Sequence, residues 1–211
     1  MADNQATLSF LEARILGVLI EKEKTTPDAY PLTLNSLTAG CNQKSARDPV
    51  TSVIDSEVQA ALEDLRGRIL VLETYGASGR VLRYAQNFGR VYGVPAASVA
   101  LLAVLVLRGP QTISELRANS ERLYRFDDAS SVEAYLEELA TRSSGALVTR
   151  LPRQAGAREQ RWAHLLCGAA ALPTEAVRRQ TVQEDTGLEE RVARLELEVA
   201  ELRAAIGLAS R

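Results

Sequence analysis

Residues 56–85 read SEVQAALEDLRGRILVLETYGASGRVLRYA, and the spacing of their apolar residues changes halfway along. The first part places apolar residues at helical spacing, which predicts a helix over residues 56–66 with Ser56 as its N-cap. The second part contains two short apolar runs, at 69–72 and 81–85, which predict two strands joined by a glycine-containing turn. A helix followed by a hairpin is the second half of a winged helix-turn-helix.

The same succession recurs later in the chain. Residues 130–143 repeat the helix and residues 146–166 repeat the hairpin, and AALEDL (60–65) aligns without a gap with AYLEEL (134–139). Two further helices are predicted before each of these units, because apolar residues recur there at helical spacing. These helices cover residues 8–24 and 34–39 in the first copy, and 97–108 and 112–117 in the second.

The predicted fold is mainly α with small β hairpins (α+β), with two tandem winged helix-turn-helix domains and a C-terminal helix. Two predicted helices begin with the pattern of a capping box, Ser9 with Glu12 and Thr112 with Glu115. The length of 211 residues leaves room for two such small domains. The predicted segments are winged-helix domain 1 at 8–92, winged-helix domain 2 at 93–168, a linker at 169–187 and an amphipathic, coiled-coil helix at 188–207.

The composition is typical of a soluble globular protein. Hydrophobic residues make up 46% of the chain and charged residues 25%, and the longest apolar run, residues 99–107, is too short to cross a bilayer. The first ten residues, MADNQATLSF, are polar and acidic, so we expect no signal peptide there. Cys41 and Cys167 have neither metal-site nor disulfide-framework spacing, which predicts reduced thiols in a cytoplasmic protein.

No familiar catalytic motif is found in the sequence. HExxH, paired CxxC, GxxxxGK[ST] and GxSxG are absent, and the single histidine, His164, lies in a predicted strand beside Trp162. A Cys41 nucleophile has no histidine in its own predicted domain to activate it. We therefore expect a protein that is not an enzyme and that holds no metal or cofactor.

Residues 41–50, CNQKSARDPV, form a polar insertion between the second and third predicted helices of the first copy. The insertion lies near the N-terminal end of helix 56–66, and in helix-turn-helix proteins that end approaches the base edges. Arg47 has the neighbouring Asp48 as an alternative, intramolecular partner. The candidate contacts are Asn42 and Gln43 for bases, and Lys44 and Arg47 for phosphates.

Arginines in the two predicted hairpins supply the local positive charge that the net charge of −2 does not. Arginine forms charge-assisted bonds with phosphates, and wings of this kind lie along the DNA backbone. We therefore predict a DNA-binding, regulatory protein, although each single arginine could instead lie on a solvated face or in an internal ion pair. The candidate wing contacts are Arg80 and Arg83 in the first hairpin, and Arg150, Arg153, Arg158 and Arg161 in the second.

The third helix of each copy favours a different partner. The outward residues of these helices are acidic, and a helix in a DNA groove lies between two rows of phosphates that would repel carboxylates. The alternative hypothesis is therefore a scaffold that binds another protein through these helices. The acidic positions are Glu57, Glu63 and Asp64 in the first copy, and Glu133, Glu137 and Glu138 in the second.

The C-terminal tail has a heptad pattern. Its apolar residues alternate spacings of four and three, with leucine at every d position and a β-branched residue at every a position, which favours a parallel two-stranded coiled coil. We therefore predict a homodimer; the alternative is an amphipathic helix that packs on its own domain. The predicted dimerisation residues are Leu188, Val192, Leu195, Val199, Leu202 and Ile206.

Three stretches together resemble the YceH family of bacterial proteins. They are YPLTLNSLTAGCNQKSARDPV (30–50), VLVLRGPQTISELR (104–117) and LVTRLPRQAGAREQRWAHLLCG (147–168). The resemblance covers roughly residues 8–168 and departs at Ala46, where the family often has asparagine. It implies a tandem winged-helix fold and brings no activity with it.

Overall fold

The structure, a computed structural model, describes residues 7–75, 79, 81–154, 156, 159–169 and 199. In chain order its elements are α1 (Phe10–Thr25), a 3-10 turn (Pro27–Ala29), α2 (Leu34–Cys41), α3 (Asp55–Gly67), β1 (Val71–Tyr75), β2 (Leu82–Gln86), α4 (Phe88–Tyr92), α5 (Ala96–Arg108), α6 (Ile113–Ser120), α7 (Ala129–Ala140), β3 (Val148–Arg150) and β4 (Trp162–His164). β1 pairs with β2, and β3 with β4, in two antiparallel hairpins. The predicted class, mainly helical with small β hairpins, is confirmed.

The described part of the chain contains two repeats with the same order of elements. We term residues 10–86 the first repeat and residues 96–164 the second; each has three helices followed by a hairpin. The short helix α4, which the sequence did not predict, joins them and ends at Gly93, where φ is +61°. The order is the one that a winged helix-turn-helix requires, and the winged-helix assignment stays our interpretation of it.

A backbone bridge occurs at the same place in both repeats and ties the loop before the second helix to the hairpin. The Leu32 and Tyr84 backbones exchange hydrogen bonds of 3.1 and 2.8 Å, and those of Gln111 and Trp162 exchange bonds of 3.0 and 2.7 Å. In both repeats the next residue is a threonine that caps the following helix. The internal repetition therefore extends to individual hydrogen bonds.

The two repeats share one hydrophobic core, because α1 and α5 pack against each other. Gly17 allows their close approach: a Cβ atom there would lie 3.0 Å from the Leu107 side chain. Fully buried residues of both helices, such as Ile15, Leu19 and Leu101, belong to the same cluster. The predicted boundary between two domains stays a prediction, whereas the core is continuous across it.

The start of α3 differs from the prediction. Its N-cap is Ile54, and the Glu57 carboxylate accepts a hydrogen bond of 2.9 Å from the Ile54 N–H. Ser56 lies in the first turn, so its predicted role as the N-cap is wrong; a glutamate side chain satisfies the free N–H instead. The capping boxes predicted at Ser9 and Thr112 are confirmed.

The first hairpin also begins later than predicted, at Val71 rather than at residue 69. Ile69 has a φ of +58°, a conformation that β-branched residues rarely adopt. Its N–H donates to the Arg66 carbonyl at 2.9 Å. Residues 68–70 therefore turn the chain out of α3 before the strand can start.

One predicted coiled-coil position, Val199, is described; it is helical and 45% exposed. The coiled coil and the homodimer stay predictions. Within the described residues, no helix is long and apolar enough to cross a membrane. The other tail positions, Leu188, Val192, Leu195, Leu202 and Ile206, lie outside the described residues, as does the predicted linker beyond residue 169.

Candidate nucleic-acid interface

The insertion at 41–50 is held to the protein by its own polar side chains. Asn42 binds the Val53 backbone twice: its Nδ2 donates to the carbonyl at 2.7 Å, and its Oδ1 accepts from the N–H at 2.8 Å. Gln43 donates to the Ser45 carbonyl at 3.0 Å and accepts from Lys22 at 3.3 Å. Both predicted base readers therefore have internal partners.

Arg47 is the most strongly held residue of the insertion. It is 6% exposed, its two terminal nitrogens donate to the Glu21 carboxylate at 3.1 and 2.6 Å, and its Nε donates to the Gly40 carbonyl at 3.1 Å. Burial alone would raise the pKa of Glu21, but the hydrogen bond and charge of Arg47 outweigh burial and lower that pKa. Arg47 thus joins α1 to the insertion, and its partner is Glu21 rather than Asp48.

A second buried arginine, Arg14 in α1, is missing from the sequence prediction. It is 0% exposed, and one of its terminal nitrogens donates to the carbonyls of Asp48 and Pro49 at 3.3 and 2.9 Å. The Asp48 N–H in turn donates to the Leu107 carbonyl at 2.8 Å, at the end of α5. The sequence did contain a sign of this role, because Arg14 lies among the apolar residues of α1 that are spaced to face the core. The insertion therefore connects the two repeats.

Arg83 of the first hairpin and Arg66 at the end of α3 also have partners inside the protein. Arg83 donates to the Pro31 carbonyl at 2.7 Å and to the Ala29 carbonyl at 3.3 Å, and Arg66 binds the Glu73 carboxylate at 3.0 Å. Arg80 lies outside the described residues. Arg83 thus anchors β2 to the loop before α2.

In the second hairpin, two arginines anchor the strands to the helices of their repeat. Arg161 donates to both carboxylate oxygens of Glu115 at 2.9 Å, and to the Pro110 carbonyl at 2.7 Å. Arg150 binds Glu133 at 3.1 Å and also binds Glu137. The guanidinium carbon of Arg150 lies 4.8 Å from the centre of the Trp162 ring, within cation–π range.

The segment 151–160, within the loop between β3 and β4, contains an arginine without a carboxylate partner among the described residues. We term this segment the wing tip. Arg153 is exposed, and Gly156 has a φ of +80°, which favours glycine. Within the described part of the chain, Arg153 has no ion-pair partner, and Arg158 lies outside that part. Lys44 in the insertion, which was also predicted to contact a phosphate, is likewise exposed and has no ion-pair partner among the described residues.

The third helices differ in how their acidic faces are compensated. In α7, Glu133 and Glu137 are both paired with Arg150. In α3, Glu63 and Asp64 are exposed and have no ion pair with any described residue. The repulsion expected between a third helix and phosphates is therefore reduced in the second repeat and retained in the first.

Burial shifts the pKa values of Cys41, the potential nucleophile, and of His164. Burial raises the pKa of the Cys41 thiol to about 11, and a protonated thiol is a poor nucleophile. Burial lowers the pKa of His164 to about 4, and its Nδ1 is buried without a hydrogen-bond partner. Among the residues that the structure describes, no cluster of His, Cys, Asp and Glu side chains could hold a metal ion.

The fold and these contacts define a helical protein of two fused repeats, tied together by an arginine-anchored insertion. Residues 8–157 match the family described as "Protein of unknown function, DUF480", and the chain belongs to that family. A UPF0502 protein of Acidovorax sp. (strain JS42) is 57% identical over 92% of this chain and 89% of its own. A UPF0502 protein of Dechloromonas aromatica (strain RCB) is 52% identical over 97% and 96%. The family resemblance seen in the sequence is confirmed.

Proposed function

We propose that this chain is a non-enzymatic nucleic-acid-binding protein whose wing tip contacts the phosphate backbone of DNA. The proposal depends on a difference among the arginines of the second hairpin: two are held in ion pairs, and one is exposed without such a pair. Arg150 and Arg161 bind carboxylates of α7 and α6, whereas Arg153 is exposed at the tip. The two anchored arginines each pair with a carboxylate of a neighbouring helix. Glu159 in the wing tip has no ion pair among the described residues, and Arg153 is the described wing-tip cation that is left to bind phosphate.

The contact set is therefore narrower than the sequence suggested. Arg153 and Lys44 are the described candidates that are exposed and have no ion-pair partner among the described residues, and Arg80 and Arg158 stay as sequence predictions. Asn42, Arg47 and Arg83 have structural partners that account for their polar groups. Binding of this kind depends on charge and shows little preference for sequence.

The test measures binding of a mixed-sequence DNA duplex by fluorescence anisotropy over a series of salt concentrations. We expect Arg153→Gln to weaken binding and to reduce the slope of log K against log salt by about one, as loss of one phosphate contact does. Arg90→Gln, which changes the net charge equally at another place, is the matched control and should leave the slope unchanged. Equal losses in both variants, or no binding by folded wild-type protein at low salt, would contradict the proposal.

The first repeat supports a second candidate, the protein scaffold. The uncompensated acids Glu63 and Asp64 lie on α3, and Ile54 at its start is 62% exposed while Val50 is 54% exposed. Exposed apolar residues and uncompensated acids in the same repeat suit a partner protein that offers both apolar and basic residues. Binding through such an interface would weaken far less with salt than DNA binding does, and Ile54→Ser would reduce it while Arg153→Gln would not.

A further inference from the structure

A cavity of about 620 Å³ lies between the two repeats. Its walls come from the end of α1, the first hairpin, α4 and the first turns of α5, so both repeats contribute to it. This volume is within the range of sites for small organic ligands, roughly 300–1,000 Å³. The cavity is separate from the insertion and from the wing tip.

The chemistry of the lining is divided between an apolar floor and a polar rim. Ile20, Val99 and Ala100 are buried residues that form part of the floor, and Leu72 of β1 adds an apolar side chain that is 45% exposed. Such a surface favours a hydrocarbon group, because contact with the floor removes apolar area from water.

The rim carries two cations and one anion. Lys24 and Arg90 both line the cavity and are exposed, and neither has an ion-pair partner among the described residues. One oxygen of the Glu23 carboxylate accepts a hydrogen bond of 2.9 Å from the neutral Gln86 amide, which does not cancel the carboxylate's charge. The Gln86 side-chain oxygen in turn accepts a hydrogen bond of 2.8 Å from the Phe88 N–H, so both ends of this amide are occupied. Lys24 and Arg90 are the lining cations available to a ligand.

We propose that this cavity binds a small amphipathic carboxylate, with the acid group at Lys24 and Arg90 and the hydrocarbon chain against Ile20, Leu72 and Val99. With two cations and one anion the rim has an excess of one positive charge, which a neutral ligand would not use, and an inorganic anion would leave the apolar floor in water. The site needs no contact from the wing tip, so this inference stands independently of DNA binding.

The test titrates hexanoate, octanoate and decanoate into the intact chain by calorimetry. Each added methylene should tighten binding about fourfold while the chain still lies on the apolar floor. Arg90→Gln should weaken octanoate binding about two- to fivefold, as loss of an exposed charge contact does. Ala96→Phe, at an exposed lining position, should obstruct the cavity without entering the core.

Arg153→Gln is the matched control, because it removes the same charge from the wing tip. It should bind octanoate as the wild type does. Absence of octanoate and decanoate binding by the folded wild-type chain would overturn the inference, as would binding that neither Arg90→Gln nor Ala96→Phe reduces. Loss of DNA binding in Arg153→Gln together with normal octanoate binding would separate the two proposals.

Discussion

At the scale of single residues, buried charge decides what the insertion does. Arg14 and Arg47 are both enclosed, and each directs its hydrogen bonds to backbone carbonyls or to a carboxylate of a neighbouring segment. Removing one member of a buried, hydrogen-bonded charge pair leaves the other uncompensated and is strongly destabilising. The polar string CNQKSARDPV therefore has a structural role in joining the repeats.

Titration of His164 should make the stability of the protein depend on pH. Its pKa is lowered to about 4 by burial, whereas the unfolded chain has the ordinary value near 6.5. Between these values the unfolded chain binds a proton that the folded chain does not, so the free energy of unfolding should fall as pH is lowered from 6.5 to 4. The expected loss is up to about 3 kcal/mol.

The measurement is direct, because the chain has a single histidine. Its imidazole proton resonances should titrate near pH 4 in the folded protein, and urea unfolding at pH 6.5 and pH 4.5 should show the lower stability. His164→Leu, which removes the titrating group, should flatten the pH dependence in this window. A folded-state imidazole that titrates near 6.5 would refute the prediction.

At the scale of elements, the helices cross closely where glycine allows it. A Cβ atom at Gly40 in α2 would lie 2.6 Å from Cγ1 of Val18 in α1, too close without movement of one helix. At Gly67, the last residue of α3, a Cβ atom would meet nothing within 4 Å. Both glycines are helical, but a Cβ atom has no room at Gly40 and open space at Gly67.

Alanine substitutions at these glycines should have opposite effects. Gly67→Ala should stabilise the protein by about 0.5–1 kcal/mol through higher helix propensity. Gly40→Ala should destabilise it by about 1–3 kcal/mol, since the buried, branched Val18 cannot rotate away freely. Free energies of unfolding from urea denaturation measure both. Similar values for the two variants would show that α1 and α2 do not approach as closely as described.

Ion pairs connect the second hairpin to two helices of its repeat. Arg150 and Arg161 reach from the second hairpin to Glu137 on α7 and Glu115 on α6. Such exposed pairs add little stability individually, but they fix where the positive and negative charges of the repeat lie. The exposed charge of Arg153 is left at the wing tip, which is the basis of the functional proposal.

At the scale of the whole molecule, the heptad pattern of the C-terminal tail predicts that two chains associate. In the predicted heptad, Leu195 occupies a d position and Leu197 an outward f position. We expect the protein to be a dimer by analytical ultracentrifugation, and Leu195→Glu to convert it to a monomer. Leu197→Glu introduces the same charge outside the predicted interface and should leave the dimer intact. A monomeric wild type, or a dimer insensitive to Leu195→Glu, would favour the alternative in which the tail packs on its own chain.

The amino-acid sequence was enough to predict the order of helices and hairpins in both repeats, the helix ends to within three residues, and the family. These features depend on local causes: the period of apolar residues, the capping pairs such as Thr112 with Glu115, and proline or glycine stops. The prediction failed at Ser56, because Glu57 caps the Ile54 N–H and the helix starts earlier, and at Ile69, because a φ of +58° delays the strand.

The tertiary structure was needed to show which charged side chains lack ion-pair partners among the described residues, and where the two repeats contact each other. Arg47 pairs with a glutamate 26 residues away, and Arg161 with one 46 residues away. Ion pairs form between groups that are close in space, and periodicity along a chain contains no information about such distances. For the same reason the shared core of α1 and α5 and the cavity between the repeats could not be read from the sequence, because both arise only when the two repeats pack together.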